Sequence, residues 1–312
     1  MRVLVTGGAG FIGSHLCDAL LARGDEVWCV DNLHLGTEEN LRHLLADGAF
    51  HFHKADVLDG QAMEPLFAAG RFDGVFHLAA NSDIEQGTRD RRVDLRLTFA
   101  TTFEVLELLH RHGVKRVFFA SSSAVFGEAP GTLAETSGPL EPVSFYGAAK
   151  LASEAYLSVY AHTFGIQTRV LRFPNVVGER ATHGVIYDFV RRLRTDPTRL
   201  RVLGDGNQTK PYLYVKDLVE AILLVDARAT EPYAVYHVAG DGATSVRQIA
   251  DIVVAEMGLT GTAVEYGEGR TGWVGDMPQY HYDSAKIHAL GFRPRYPSTE
   301  AVRVAVQRML GR

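Results

Sequence analysis

Residues Arg2-Val3-Leu4-Val5-Thr6-Gly7-Gly8-Ala9-Gly10-Phe11-Ile12-Gly13 decide the fold. An apolar run breaks into glycines and resumes as an amphipathic segment, which predicts a strand, a tight turn and a helix start. Glycines are needed where a pyrophosphate lies against the main chain, because a β-carbon would hold the phosphates away from the backbone amides and the positive end of the helix. Two spacings fit the same residues: Gly8-Gly10-Gly13 matches GxGxxG, and Thr6-Gly7-x-x-Gly10-x-x-Gly13 matches a variant with one more residue in the turn. The next apolar stretch, Glu26-Val27-Trp28-Cys29-Val30, ends at Asp31. A carboxylate there accepts adenosine ribose hydroxyls and repels a 2′-phosphate, so the pattern favours NAD over NADP.

At 312 residues the chain is long enough for one large α/β domain with a smaller appendage. The hydrophobic fraction is 46%, the formal charge is −5, and basic residues are scattered, which argues against nucleic acid as a principal partner. No apolar run reaches the roughly 18 residues of a membrane span. Met1-Arg2 leads directly into the first strand, and the expectation is a soluble cytoplasmic protein without a cleavable leader. Cys17 and Cys29 are too few for a disulfide framework or a structural zinc site, and both are expected inside the first βαβ unit. His51 and His53 alternate on a predicted strand without a third ligand at fixed spacing, so no metal is expected.

Alternating strands and helices continue to Arg172, which predicts a doubly wound parallel sheet. Ser14 to Gly24 reads as its first helix, closed by a glycine. Phe50 leads to Asp56-Val57, where Asp56 is placed to accept from an adenine amino group with Val57 offering its backbone, or to cap a helix. Val75-Phe76-His77-Leu78-Ala79-Ala80 ends in small residues, as a strand must if a cofactor crosses its carboxyl end, and Asn81-Ser82-Asp83 opens a polar loop toward the same cleft. Arg91 to His112 reads as one long helix with Phe99, Phe103 and Leu106 on one side, a face suited to a symmetry mate. Beyond Phe173 the pattern loosens. Helices are predicted near Ile186–Leu193, Asp217–Val225, Ser245–Met257 and after Ser298, with a strand at Val235–Val238.

The chemistry lies in two stretches. The strand Lys115–Ala120 runs into Ser121-Ser122-Ser123, and Ser144-Phe145-Tyr146-Gly147-Ala148-Ala149-Lys150 begins a helix continuing to Thr163, with Ser144 as its cap. Tyr146 and Lys150 are four apart and share a helix face. A phenol with an ordinary pKa near 10 is a poor base at neutral pH unless a cation favours its phenolate. Lys150 supplies such a charge, and Ser122 is placed to hold the oxygen of a sugar hydroxyl whose proton Tyr146 takes.

Thr6-Gly7-Gly8-Ala9-Gly10-Phe11-Ile12-Gly13, Asp31-Asn32, the serine cluster and Tyr146-x-x-x-Lys150 together resemble the extended short-chain dehydrogenase/reductase family, close to its UDP-glucose/UDP-galactose 4-epimerases. The resemblance implies an NAD-binding Rossmann domain over residues 1–172 and a nucleotide-sugar lobe over 173–312, with some later segments returning to the first domain. It implies cofactor contacts from Gly7, Gly10, Phe11, Ile12, Gly13, Asp31, Asn32, Asp56, Val57, Leu78, Ala79, Ala80, Thr98, Ser121, Tyr146, Lys150 and Phe173. Catalysis falls to Ser122, Tyr146 and Lys150, and the substrate to Asn81, Ser122, Ser123, Tyr146, Asn175, Lys210, Arg270, Asp276 and Tyr280.

Three positions depart from the family pattern: Lys210 replaces an arginine, Pro211 an acidic residue, and Trp273 a phosphate-binding arginine that Arg270 is placed to substitute. In the related dehydratases Asp and Glu follow the catalytic hydroxyl, whereas here Ser123 and Ala124 follow it. Neither relays a proton as a carboxyl does, so elimination is disfavoured and C4 epimerisation through a transient 4-keto sugar is expected. Bulk at Tyr280 points to a UDP-hexose without an N-acetyl group, or simply to packing. A UDP-hexuronate epimerase, a decarboxylase or a dehydratase on the same scaffold are the alternatives. A regulator that binds NAD without turnover is disfavoured by the retained tyrosine and lysine. A homodimer is expected.

Overall fold

The computed structural model describes residues 1–129, 131–269 and 280–312. Seven strands build one sheet: β1 (Arg2–Thr6), β2 (Glu26–Asp31), β3 (Phe50–Lys54), β4 (Gly74–His77), β5 (Arg116–Ser122), β6 (Gln167–Phe173) and β7 (Tyr233–His237). Their order is β7-β6-β5-β4-β1-β2-β3, and every neighbouring pair is parallel. The direction of winding reverses between β1 and β4, and in an open α/β sheet that reversal opens a ligand crevice at the carboxyl ends of the strands. The doubly wound parallel sheet read from the sequence is the one observed.

Both faces of the sheet are covered, so the strands are apolar in and out. Val3, Val5, Phe76, Phe118 and Leu171 pack to one side with helix α1 (Phe11–Ala22) and helix Val215–Arg228. Leu4, Val75, Val117, Phe119 and Val170 alternate to the other, against helices Gly60–Gly70, Thr101–His112 and Phe145–Phe164. A separate core joins helices Val185–Thr195, Val246–Glu256 and Ser298–Met309 around Ile186, Phe189, Tyr212, Ile249, Val253 and Val302. β7 is the strand read at Val235–Val238, and it leaves that later region to pair with β6 from Tyr233↔Thr168 to His237↔Arg172.

The long helix read over Arg91–His112 is interrupted. A helical turn at Arg92–Asp94 passes into a π-helical stretch, Leu95–Ala100, before regular helix resumes at Thr101–His112. The hydroxyls of Thr101 and Thr102 both donate to the Thr98 carbonyl, at 3.0 and 2.8 Å, and such side-chain bonds compete with the regular ladder. The expected single face therefore splits. Leu106 is fully buried, while Phe99 and Phe103 sit edge-on to Tyr156 of the neighbouring helix, 5.0 and 5.9 Å between ring centres.

Candidate active site

The glycine turn lies where β1 meets β4. Gly7 has φ of +73°, and a β-carbon there would stand 2.7 Å from the Ala79 nitrogen. Gly13 lets α1 close onto the turn, since a β-carbon would reach 2.2 Å from the Gly7 carbonyl oxygen. Gly10 precedes the first helical residue Phe11, and α1 has neither a side-chain cap nor an acidic residue in its first turn. Its positive end is left for an anion. Gly8 packs against the sulfurs of Cys29 and Cys17, both buried in this first βαβ unit as expected.

Asp31 ends β2 almost fully buried, its two oxygens accepting from the Ala9 amide at 2.9 Å and the Leu33 amide at 2.8 Å. Burial raises its pKa, while the two amides oppose that rise and fix the carboxylate's orientation at the crevice. Asn32 donates to the Asp56 carboxylate at 3.0 Å, which also accepts from the Leu58 amide. Asp56 is therefore not the helix cap. Asp59 holds that position before helix Gly60–Gly70, three residues closer to the first turn. Val57 is core, and Leu78, Ala79 and Ala80 stand half-buried at the end of β4.

The residues present fit a dinucleotide: an uncapped helix end beside a turn whose glycines leave no room for β-carbons, and a buried, oriented carboxylate one strand away. Ile12 and Phe11 begin α1 beside that turn. Among the described residues no group of three metal-ligating side chains occurs, and His51 and His53 both pack on Trp28.

The serine strand and the tyrosine helix meet on the other side of the crevice. Ser144 caps helix Phe145–Phe164 by accepting from the Gly147 amide at 3.0 Å. Gly147 allows the helix to press against the turn after β5, because a β-carbon would stand 2.2 Å from the Ala124 carbonyl oxygen. That approach brings the Tyr146 phenol near the Ser122 hydroxyl, which accepts from the Ala124 amide at 3.2 Å. Phe173 closes β6 in register with Ser122.

Lys150 is buried one turn further on, donates to the Ala120 carbonyl at 2.6 Å, and stands 5.7 Å from the Tyr146 ring centre. The phenol pKa is not lowered as the Tyr-Lys spacing led us to expect. Burial pushes it up to about 12, only partly offset by the nearby Ser122 hydroxyl, and the charge of Asp94 raises it further. Burial also brings Lys150 down to about 7, with Asp94 and Glu154 opposing that fall. Desolvation outweighs the single fixed cation, with Lys150 buried and Tyr146 half-buried.

Two polar clusters behind these residues were not read from the sequence. The Thr6 hydroxyl meets His77 Nδ1 at 2.7 Å, His77 Nε2 meets Thr102 at 3.1 Å, and Ser153 donates to Thr102 at 3.2 Å. Burial holds His77 neutral, its pKa down at about 3, so this imidazole joins the glycine turn to the tyrosine helix as an uncharged link. In the second cluster, the Ser121 hydroxyl donates to Glu154, and Arg172 grips the same carboxylate at 3.0 and 2.7 Å. Glu154 falls one helical turn beyond Lys150, the one signal that could have drawn it into the reading.

The remaining sites read from the sequence divide. Asn81 is fully buried, its amide donating to Asp94 and to the Asp83 carbonyl, both at 2.9 Å, and its backbone donates to the buried Thr98 hydroxyl at 3.2 Å. Ser123 is buried beside Ser122 in the turn after β5. Asn175 and Lys210 are half-buried on short strands, Asn175 in register with Tyr212. Tyr280 is buried among Val125, Phe126 and Leu133, its ring 5.4 Å from that of Tyr282. Arg270, Trp273 and Asp276 lie outside the described residues.

A glycine-turn sheet carrying a serine, a tyrosine and a lysine at one crevice defines a dinucleotide-dependent enzyme that works on a hydroxyl-bearing carbon. The model of the NAD dependent epimerase/dehydratase family matches residues 3–239, and the chain belongs to that family. A relative named putative UDP-glucose 4-epimerase from Methanocaldococcus jannaschii is 30% identical, the match covering 98% of each chain. Among solved structures, a UDP-galactose 4-epimerase is 38% identical with a TM-score of 0.87, covering 100% of this chain and 99% of the other. A UDP-glucose 4-epimerase from Thermus thermophilus in complex with NAD is 34% identical with a TM-score of 0.88 and the same coverage.

Proposed function

We propose that the protein is an NAD-dependent epimerase that inverts C4 of a nucleotide hexose, with UDP-glucose and UDP-galactose as its substrate pair. The observation that carries this reading is Tyr146 and Lys150, one turn apart on a helix pressed against the turn that follows Ser122, with Ser123 and Ala124 where a dehydration would need carboxyls. Tyr146 takes the proton of the sugar hydroxyl, Ser122 orients that hydroxyl, and Lys150 places positive charge behind the phenol. NAD, when bound, supplies the hydride acceptor, held by the glycine turn and Asp31. Asn175, Lys210 and Arg270 serve the diphosphate, and the bulk of Tyr280 favours hexoses without an N-acetyl group.

Incubation with UDP-galactose is expected to yield UDP-glucose, resolved by chromatography, with no net consumption of NAD. A 4-keto-6-deoxy product or released carbon dioxide would overturn the assignment in favour of dehydration or decarboxylation.

We also propose that two copies associate through helices Thr101–His112 and Phe145–Phe164. Leu95, at the start of the π-helical stretch, is 60% exposed and Val159 56% exposed, beside the half-exposed Tyr156 on which Phe99 and Phe103 pack. Such an apolar stripe on packed helices matches a two-fold interface. Sedimentation of the Val159→Glu protein is expected to show a monomer where the unsubstituted protein shows a dimer, and identical sedimentation would refute this interface.

A further inference from the structure

His237 closes β7 fully buried, and both ring nitrogens have partners. Nδ1 stands 2.9 Å from the Leu133 carbonyl and Nε2 3.5 Å from the Arg172 guanidinium. A carbonyl only accepts and a guanidinium only donates, so both partners require the same neutral tautomer, with its proton on Nδ1. Burial, and then the Arg172 charge, hold the imidazole neutral, its pKa down at about 3. The His237 backbone amide donates to the Glu135 carboxylate at 2.8 Å, so this one residue fastens the segment 133–135 at both ends.

The Leu133 carbonyl also accepts from the Asp283 amide at 2.8 Å. It thereby joins the sheet to the short strand His281–Tyr282, which pairs with Thr132–Leu133 in a ladder of two residues on each side. A ladder so short is marginal by itself. His237 supports it a second time, because its ring stacks on that of Tyr282, 4.3 Å between centres and 23° between planes. Tyr280, one residue before the strand, packs beside Tyr282 onto Val125, Phe126 and Leu133. Val125 ends the single helical turn Ser123–Val125 that follows Ser122.

We propose that His237 is a positioning residue for sugar selection: through the Leu133 carbonyl it keeps Tyr280 against the serine turn and so fixes the room left beside Ser122. This rests on the reading of Tyr280 as a wall of the sugar pocket. Lys286 ties the turn after the strand to β7 independently, donating to the Val235 carbonyl at 2.9 Å, so variants of His237 should fold.

His237→Phe keeps an aromatic ring beside Tyr282 and removes the Nδ1 donor, whereas His237→Asn keeps a donor near that place and removes the ring. Deuterium exchange at the Asp283 amide needs no substrate. It is expected to quicken roughly 2–10-fold in H237F, the factor that one hydrogen bond is worth, and to stay closer to the unsubstituted rate in H237N. The ratio of kcat/KM for UDP-galactose over UDP-N-acetylgalactosamine should fall by a similar factor in H237F, a change that lost stability alone does not produce. Unchanged exchange or an unchanged ratio in H237F would overturn the proposal, as would an H237N protein disturbed as much as H237F. If the unsubstituted protein converts neither nucleotide sugar while exchange responds as expected, the substrate reading fails and the anchoring of the strand by His237 is upheld.

Discussion

Turnover by the Tyr146→Phe protein is expected to fall about 10²–10⁴-fold, the range that positioned proton transfer contributes. Fold and NAD affinity should survive, because the ring volume is kept and the glycine turn and Asp31 are untouched. The phenol's high pKa gives the prediction a second arm. With Tyr146 pushed up to about 12 by burial, the phenolate is scarce at neutral pH, and kcat/KM of the unsubstituted protein should climb with pH on its acid side. That climb should be absent from the residual rate of the variant. An undiminished rate would remove Tyr146 from the chemistry, and a variant that also releases NAD would make it a cofactor ligand first.

Removing Arg172 should have the largest effect on stability. Its guanidinium and the Glu154 carboxylate are 4% and 5% exposed and bonded twice. Arg172→Met leaves that carboxylate buried without its cation, bonded to the Ser121 hydroxyl alone, at a cost of about 3–5 kcal/mol. The double variant Arg172→Met with Glu154→Met is expected to recover most of this, because a buried ion pair replaced by apolar side chains of similar volume is often close to neutral. Paired thermal melts decide the point: equal losses in single and double variants would mean that the two charges are not coupled. The double variant should still turn over less than the unsubstituted protein, since the Ser121 hydroxyl loses the acceptor that holds it.

The parts of this site visible in the sequence are those that a local rule dictates. Gly7 and Gly13 are required by contacts within a single turn, Asp31 ends the strand next to it, and Tyr146 and Lys150 share a face because a helix repeats every 3.6 residues. Ser144 was legible for the same reason, since its cap acts on an amide three residues away. Asp56 was misjudged as a possible cap because Asp59, a better-placed carboxylate, stood in the same stretch.

What stayed hidden depends on partners distant in the chain. His77 reads as one polar letter in an apolar strand until Thr6 and Thr102 flank it. Arg172 reads as a strand residue until Glu154 reaches it, and Asp94 as a surface helix charge until Asn81 and Gly87 enclose it. The π-helical stretch at Leu95–Ala100 was hidden differently: its apolar spacing is that of an ordinary helix, and threonine bonds to the Thr98 carbonyl accompany the change.

The position of β7 bears on how the chain is made. Six strands of the sheet are complete once residue 173 has been synthesised, but the seventh follows about sixty residues later and pairs along the open side of β6. Until it arrives, a nascent chain on the ribosome presents β6 as an unpaired edge, the kind of surface on which polypeptides aggregate. The sheet's last strand to be translated thus also guards it against association with other chains.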